Sequence, residues 1–240
     1  MVQRRWHSSA ATHRGAVREM NEDAFLDRNS DGLWVVADGM GGHDAGEVAS
    51  EMITSAMGKI DIQQPLADVV DILEDTLLNV HHKIRAYARS HCEGRTMGST
   101  VVSLFVRESV GVCLWAGDSR LYRYRNNQLQ PISHDHSQVN EMLARGMINE
   151  EEAVNHPASN VITRAVGASE TLYVDITLVE LQPNDVYLLC SDGLYGAIGE
   201  EQIANLLSLE EMETVTQNLI DQSLEASARD NVTVIAVKVE

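Results

Sequence analysis

Three apolar runs in this chain lead directly into an aspartate followed by a turn residue, and that recurrence narrows the possible folds more than any other feature. Leu33-Trp34-Val35-Val36-Ala37 ends in Asp38-Gly39, Val112-Cys113-Leu114-Trp115-Ala116-Gly117 ends in Asp118-Ser119, and Val186-Tyr187-Leu188-Leu189-Cys190-Ser191 ends in Asp192-Gly193. A fourth junction is inverted, with Asp230-Asn231 opening the run Val232 to Val239. Carboxylates at strand ends beside flexible turns can converge at one rim of a sheet, and such hard oxygen ligands suit Mg²⁺ or Mn²⁺. One Asp-Gly alone is ordinarily just a turn. Four such junctions flanking buried strands are harder to assign to chance.

Around these runs the hydrophobic period changes repeatedly. Ala24 to Leu26 and Leu33 to Ala37 are separated by Asp27-Arg28-Asn29-Ser30-Asp31-Gly32, a turn-rich cluster that predicts a hairpin. From Glu47 to about Cys92, Leu66, Val69, Val70, Leu73, Leu77, Val80, Ile84 and Tyr87 recur at helical spacing. That predicts two helices breaking near Asp61 to Pro65, the stripe serving as core packing. Thr100 to Val106, Val110 to Trp115, Leu121 to Tyr124 and Leu129 to Ile132 then read as a meander of strands. Residues 137–167 are less periodic, with short helical stretches at Gln138 to Ala144 and Glu150 to Val154, and read as an excursion from the core. Strands return at Leu172 to Leu181 and Val186 to Cys190, and helices at Glu201 to Leu207 and Met212 to Ala226. The run Val232 to Val239 is almost continuously apolar, as a strand buried on both faces would be. No repeat or long linker interrupts this order, so residues 1–240 are expected to form one α+β domain with packed sheets.

Composition constrains the partners. The chain carries 36 acidic against 18 basic residues, a net charge of -18, which disfavours nucleic acid and anionic membranes because both would be repelled. Clustered carboxylates within such an excess need cations to offset their repulsion. Cys92, Cys113 and Cys190 form an odd set without CxxC spacing, and two of them sit in apolar runs, which points to a reducing compartment. With no apolar stretch behind Arg4 and Arg5 and no run long enough to span a bilayer, the expectation is a cytoplasmic protein.

Rival chemistries fit poorly. Asp27-x-Asn29-x-Asp31-Gly32 with Asp38 at the twelfth position imitates a calcium-binding EF-hand loop, but Trp34-Val35-Val36 follows where a helix should. A cysteine-dependent phosphatase needs Cys-x5-Arg, and Cys113 to Arg120 has six intervening residues. No Gly-x4-Gly-Lys-Ser/Thr loop is present, and Gly39-x-Gly41 lacks a third glycine at the offset nucleotide binding requires. His7, His13, His81, His82, His91, His134, His136 and His156 show no metal spacing and are expected in surface or structural roles, His136 lying nearest the rim of the site.

Taken in order, Arg18-Glu19-Met20-Asn21-Glu22-Asp23, Asp38-Gly39-Met40-Gly41-Gly42-His43 with Gly46-Glu47, Gly98-Ser99-Thr100, Gly117-Asp118-Ser119-Arg120, Ser191-Asp192-Gly193 and Asp230-Asn231 resemble the motifs of metal-dependent protein phosphatases of type 2C, in particular the compact bacterial members. The resemblance spans nearly the whole chain. It implies a central β-sandwich of two antiparallel sheets flanked by helix pairs, with a metal cluster at one end. By position, Asp38 would bridge two metals, Asp192 and Asp230 would complete the first site, and the Gly39 carbonyl would serve the second, with Glu22 there directly or through water. Asp23 would act behind them as a hydrogen-bond acceptor, and Asp118 would hold a third, weaker metal. Arg18 would grip the phosphate, for which a guanidinium offers a bidentate fork. Residues 137–167 would form a flap over the site.

The implied reaction is hydrolysis of phosphoserine and phosphothreonine in proteins by a water activated by Mn²⁺ or Mg²⁺, opposing a serine/threonine kinase. A phosphomonoester dianion repels anionic nucleophiles, so positive charge and a nucleophile active near neutral pH are both required, and no covalent phosphoenzyme is needed. The alternative is a catalytically weak module that binds metal and phosphoprotein, from which intact Asp38, Asp192 and Asp230 argue away. For the acid that protonates the leaving oxygen, Met40 stands where some relatives carry histidine, and His43 is the nearest replacement. Bracing of the turn by His43, with a metal-held water as the acid, stays open beside that reading.

Overall fold

The apolar run at residues 232–239 is buried on both faces, and the layers build outward from it. In the computed structural model, which describes residues 5–41, 45–93, 95–154, 156–158 and 161–240, the elements follow in the order β1 (Trp6–His13), β2 (Asp23–Arg28), β3 (Leu33–Met40), α1 (Ala45–Met57), α2 (Leu66–His91), β4 (Gly98–Ser99), β5 (Val101–Arg107), β6 (Val110–Ala116), β7 (Arg120–Arg125), β8 (Gln128–Pro131), α3 (Gln138–Ala144), α4 (Glu150–Val154), β9 (Asp175–Glu180), β10 (Val186–Cys190), α5 (Asp192–Tyr195), α6 (Glu200–Leu207), α7 (Met212–Glu225) and β11 (Val232–Val239). One sheet has the order β1-β11-β10-β7-β8 and the other β2-β3-β5-β6-β9, with β4 continuing on β3. Every pairing is antiparallel.

Alternation along the strands makes the layers. Val232, Val234 and Ala236 of β11 pack with Ile203, Leu207 and Leu219 of α6 and α7, whereas Ile235, Val237 and Val239 join Trp34, Leu104 and Leu121 between the sheets. Likewise Leu33, Val35 and Ala37 of β3 face α1 and α2, where Ile53, Leu73, Leu77 and Ile84 form the helical stripe, and Trp34 and Val36 point inward. Each large side chain so buried stabilises the fold by about 1.5–3 kcal/mol. The result is the α-β-β-α arrangement of two antiparallel sheets with flanking helices. No helix among the described residues is long and apolar enough to cross a membrane.

Besides the two-residue β4, two elements lie outside what the hydrophobic pattern predicts. The first is β1, whose sequence Trp-His-Ser-Ser-Ala-Ala-Thr-His has no apolar alternation. It is placed by pairing with β11 from Trp6↔Val239 to His13↔Val232. Hydroxyl contacts add to this, Ser9 to Thr216 at 2.9 Å and Thr12 to Thr233 at 2.7 Å. The second is the short helix α5, which starts at Asp192. The strand expected over Leu172 to Leu181 is shorter, Asp175–Glu180. Residues 137–167 carry α3 and α4 and are tied at their base by the bridges Ser137↔Ile162 and Ser99↔Val166.

Candidate metal and phosphate site

Antiparallel pairing delivers four of the strand-end aspartates to one pole of the sandwich. Asp38 stands opposite Asp23 in the β2–β3 register. Beyond it β3 switches partner, Gly39 pairing with Ser99 and Met40 with Gly98. Thr100 locks this corner: its N–H donates to the Asp38 carbonyl at 2.8 Å, its Oγ1 accepts from the Asp38 N–H at 3.1 Å, and that hydroxyl lies 2.7 Å from the Ser119 hydroxyl in the turn that carries Asp118. Gly39 and Gly46 are required by close approach, since a Cβ on Gly39 would collide with the Gly46 carbonyl and one on Gly46 with the Glu22 carboxylate. Glu22 is thereby wedged beside the Asp38 turn, and its carbonyl accepts from the Gly39 N–H at 3.1 Å and the Ser50 hydroxyl at 2.6 Å.

The electrostatics of this pole are those of anions held together without enough counter-charge. Burial pushes the Asp23 carboxyl up to about 7, with Asp192 and Asp230 adding to the shift against hydrogen bonds from Thr233 and Ser191. Burial, then Asp192, pushes Asp118 up to about 7. Burial, then Asp230, pushes Asp192 up to about 6. Asp38 keeps some exposure, yet the dense protein around it and then Asp23, Asp192, Asp118 and Asp230 hold its pKa well above the usual carboxylate range. Asp38 and Asp192 lie close enough for their carboxyls to act on each other's ionisation. Asp23 Oδ2 accepts from the Ser191 hydroxyl at 2.8 Å, but Asp23 Oδ1 and Asp192 Oδ1 are buried oxygens with no hydrogen-bond partner among the described residues.

Arg18 supplies the nearest cation, its Nη2 donating to Asp230 Oδ2 at 2.6 Å. That bond, with Asp230, Glu22 and Asp192 nearby, raises its pKa further. Among the described residues no three His, Cys, Asp or Glu side chains are drawn around a single point, and Asp230 is the one engaged with arginine. The donor set nevertheless fits hard divalent cations: all-oxygen, anionic, with orphaned buried oxygens and carboxyl pKa values raised by burial and then by mutual repulsion. Asp38, Asp192 and Asp230, with Glu22 and the Gly39 carbonyl, could hold metal here, and Asp118 lies close enough to raise the Asp38 pKa. His43 lies outside the described residues.

Three residues the sequence analysis picked out, Asn231, Arg120 and His136, support the site in ways that no local pattern states. Asn231 donates from Nδ2 to the carbonyls of Arg14 at 3.0 Å and Met20 at 2.9 Å, and its Oδ1 accepts from the Glu22 N–H at 2.8 Å. This one amide positions the whole Arg18–Glu22 segment. Arg120 makes a bidentate pair with Asp135, at 2.8 and 2.7 Å, and stacks 3.7 Å above the Tyr195 ring. Tyr195 in turn donates its hydroxyl to the Asp118 carbonyl at 2.9 Å, so Arg120 links the Asp118 turn, α5 and the entry to residues 137–167. His136 is a brace: Nδ1 accepts from the Gly117 N–H at 3.1 Å, Nε2 lies 3.2 Å from Asp175, and the ring stacks on Trp115. Burial lowers its pKa, in keeping with a neutral ring donating to Asp175.

A larger cavity, of about 1150 Å³, opens at the opposite pole beside Arg5, Asn29, Arg107 and Glu240. None of the buried orphan oxygens lines it. Asp118, Asp192 and Asp230 border a smaller groove of about 580 Å³.

Similarity to known proteins identifies the family of this fold. A family model described as protein phosphatase 2C matches residues 11–232. The serine/threonine phosphatase stp of Listeria monocytogenes is 35% identical over 240 residues, covering 97% of this chain and 95% of that protein. Among solved structures, PppA, described as a key regulatory component of T6SS in Pseudomonas aeruginosa, has a TM-score of 0.91 at 39% identity, covering 98% of each chain. The catalytic domain of the serine threonine protein phosphatase PstP in complex with two manganese ions has a TM-score of 0.88 at 31% identity, again covering 98% of each chain.

Proposed function

This chain belongs to the protein phosphatase 2C family, and we propose that its aspartate cluster is the catalytic centre of a metal-dependent phosphatase acting on phosphoserine and phosphothreonine in proteins. The observation that carries the reading is the approach of Asp38, Asp192 and Asp230 beside Arg18, with Asp192 Oδ1 buried and unpartnered. Asp38, Asp192 and Asp230 would hold the ions, joined by the Gly39 carbonyl and Glu22. Mn²⁺ and Mg²⁺ both suit these oxygens, and Asp118 offers a place for a third ion. When bound, the ions supply positive charge against the phosphate dianion and acidify water.

This chain's own residues do the rest. Arg18, half-exposed at the mouth, turns from Asp230 to a phosphate oxygen and fixes the ester's orientation. Ser191 and Thr233 hold Asp23, which sits behind the ligands as a hydrogen-bond acceptor. Thr100 and Asn231 keep the Asp38 turn and the Arg18–Glu22 segment in register. Residues 137–167 act as the flap of a catalytic unit spanning residues 1–240. In the cell the enzyme would oppose a serine/threonine kinase, and its free, buried Cys92, Cys113 and Cys190 suit the cytoplasm.

A catalytically weak binding module is the poorer reading, because every carboxylate of the proposed ligand set is present. The test is phosphate release from a phosphothreonine peptide with and without manganese, in wild type and Asp192→Asn. Release that needs the metal and vanishes in the variant supports the assignment; metal-independent release overturns it.

A further inference from the structure

We propose, resting on the phosphatase reading above, that the groove between α3 and the residues following Asp192 binds the substrate's own polypeptide and takes an apolar side chain flanking the phosphoresidue. This groove, of about 580 Å³, is lined at one end by Asp118, Asp192 and Asp230. Its size is that of a ligand-binding cleft. A phosphorylated side chain whose phosphate lies among those aspartates is tethered to a backbone. That backbone must pass along whatever opening adjoins them.

Away from the aspartates Val139, Leu143 and Ala153 on one side, and Ala197, Ala226 and Ala228 on the other, give the groove an apolar lining that Ser137, Asn140 and Ser227 interrupt. The three alanines of the second wall are too short to fill the space themselves. Of the charged groups in the groove, Arg120 and Asp135 are paired at 2.7 Å and neutralise each other. Arg229 is exposed, where water and salt screen it. With ions neutralising the aspartates, neither a basic nor an acidic side chain gains from them, and either one must give up its hydration to lie against the apolar lining. Burial of apolar surface is then the contribution that selects.

The test uses phosphothreonine peptides that differ only in the residue flanking the phosphothreonine on either side, carrying Leu, Arg or Asp, with saturating manganese. For wild type, kcat/KM for the Leu peptide should exceed that for the Asp peptide by about tenfold on one of the two sides, the difference residing in KM. Leu143→Asp should abolish the preference, and Leu143→Ser, a milder change, should halve it or more, both with the wild-type melting temperature. Equal rates for the three peptides, a preference for Arg, or a preference unaffected in both variants would overturn the proposal. Failure to release phosphate from any peptide would overturn the phosphatase reading as well, whereas release without discrimination overturns this inference alone.

Discussion

Arg18 donates to the carboxylate of Asp230 across 2.6 Å, so the side chain proposed to grip phosphate and one proposed to grip metal hold each other. Both are open to solvent, 51% and 38% exposed, and a pair of this kind contributes at most about 1 kcal/mol. It is therefore weak enough for ligands to open. A divalent ion arriving at Asp230 and a phosphate arriving at Arg18 each replace the partner that the other loses.

Arg18→Ala should accordingly raise KM for a phosphopeptide about tenfold while leaving calorimetric metal affinity unchanged or slightly stronger, because Asp230 is released. Weakened metal binding with an unchanged KM would contradict both roles.

Asp38→Asn and Asp192→Asn should each lower kcat/KM by about 100-fold or more at saturating manganese, since each removes a charged ligand. In the chelated protein the same substitutions should raise the melting temperature, because a buried anion among anions is gone. Lower stability in both variants would show that the cluster is held by something other than mutual repulsion awaiting a cation.

The pH response of the chelated protein has a definite sign. Asp23, Asp118 and Asp192 stand at about 7, about 7 and about 6 in the folded chain, against about 3.9 when unfolded. Between those values the folded state binds more protons, so their stabilising contribution is complete below about pH 4 and disappears as pH rises through about 7. Melting temperature measured in chelator should fall between pH 5 and pH 8, by less in Asp192→Asn than in wild type. Manganese should reverse the fall.

Arg120→Met breaks a pair whose side chains are 24% and 13% exposed and leaves Asp135 without its cation. Given that exposure, the expected loss of stability in urea denaturation is about 2 kcal/mol, below the range for fully buried pairs. Arg120→Lys keeps the charge but neither the fork nor the stack on Tyr195, and should fall between the two in stability and in kcat. Equal kcat in all three proteins would show that the Asp118 turn does not depend on Arg120.

Strand-end aspartates were readable because Asp38, Asp118, Asp192 and Asp230 each border an apolar run, and a local pattern places them on a rim. Helix α2 was readable for the same reason, its stripe from Val69 to Ile84 repeating at the helical period. What holds the rim in place is different in kind. Asn231 reaches residues more than 200 positions away, Ser191 bonds Asp23 across 168, and β1 joins the sheet through pairing with β11. Contacts across such separations obey no period, and a polar strand such as Trp6–His13 carries no hydrophobic mark of its own. His136 shows the converse, a conspicuous histidine near the rim whose two ring nitrogens are engaged in bracing Gly117 and Asp175.

The segment from Ser137 to Gly167 hangs from a closed neck, formed by backbone bridges from Ser137 to Ile162 and from Ser99 to Val166, with the Thr163 N–H donating to the His136 carbonyl at 2.7 Å. The entropy of closing a loop grows only with the logarithm of its length, so changes beyond the neck barely register in the sandwich below. On the proposed reading of this segment as a flap over the aspartates, catalysis and choice of partner become heritable separately: mutation can rewrite what hangs from the neck, generation after generation, while the aspartates beneath it stay as they are.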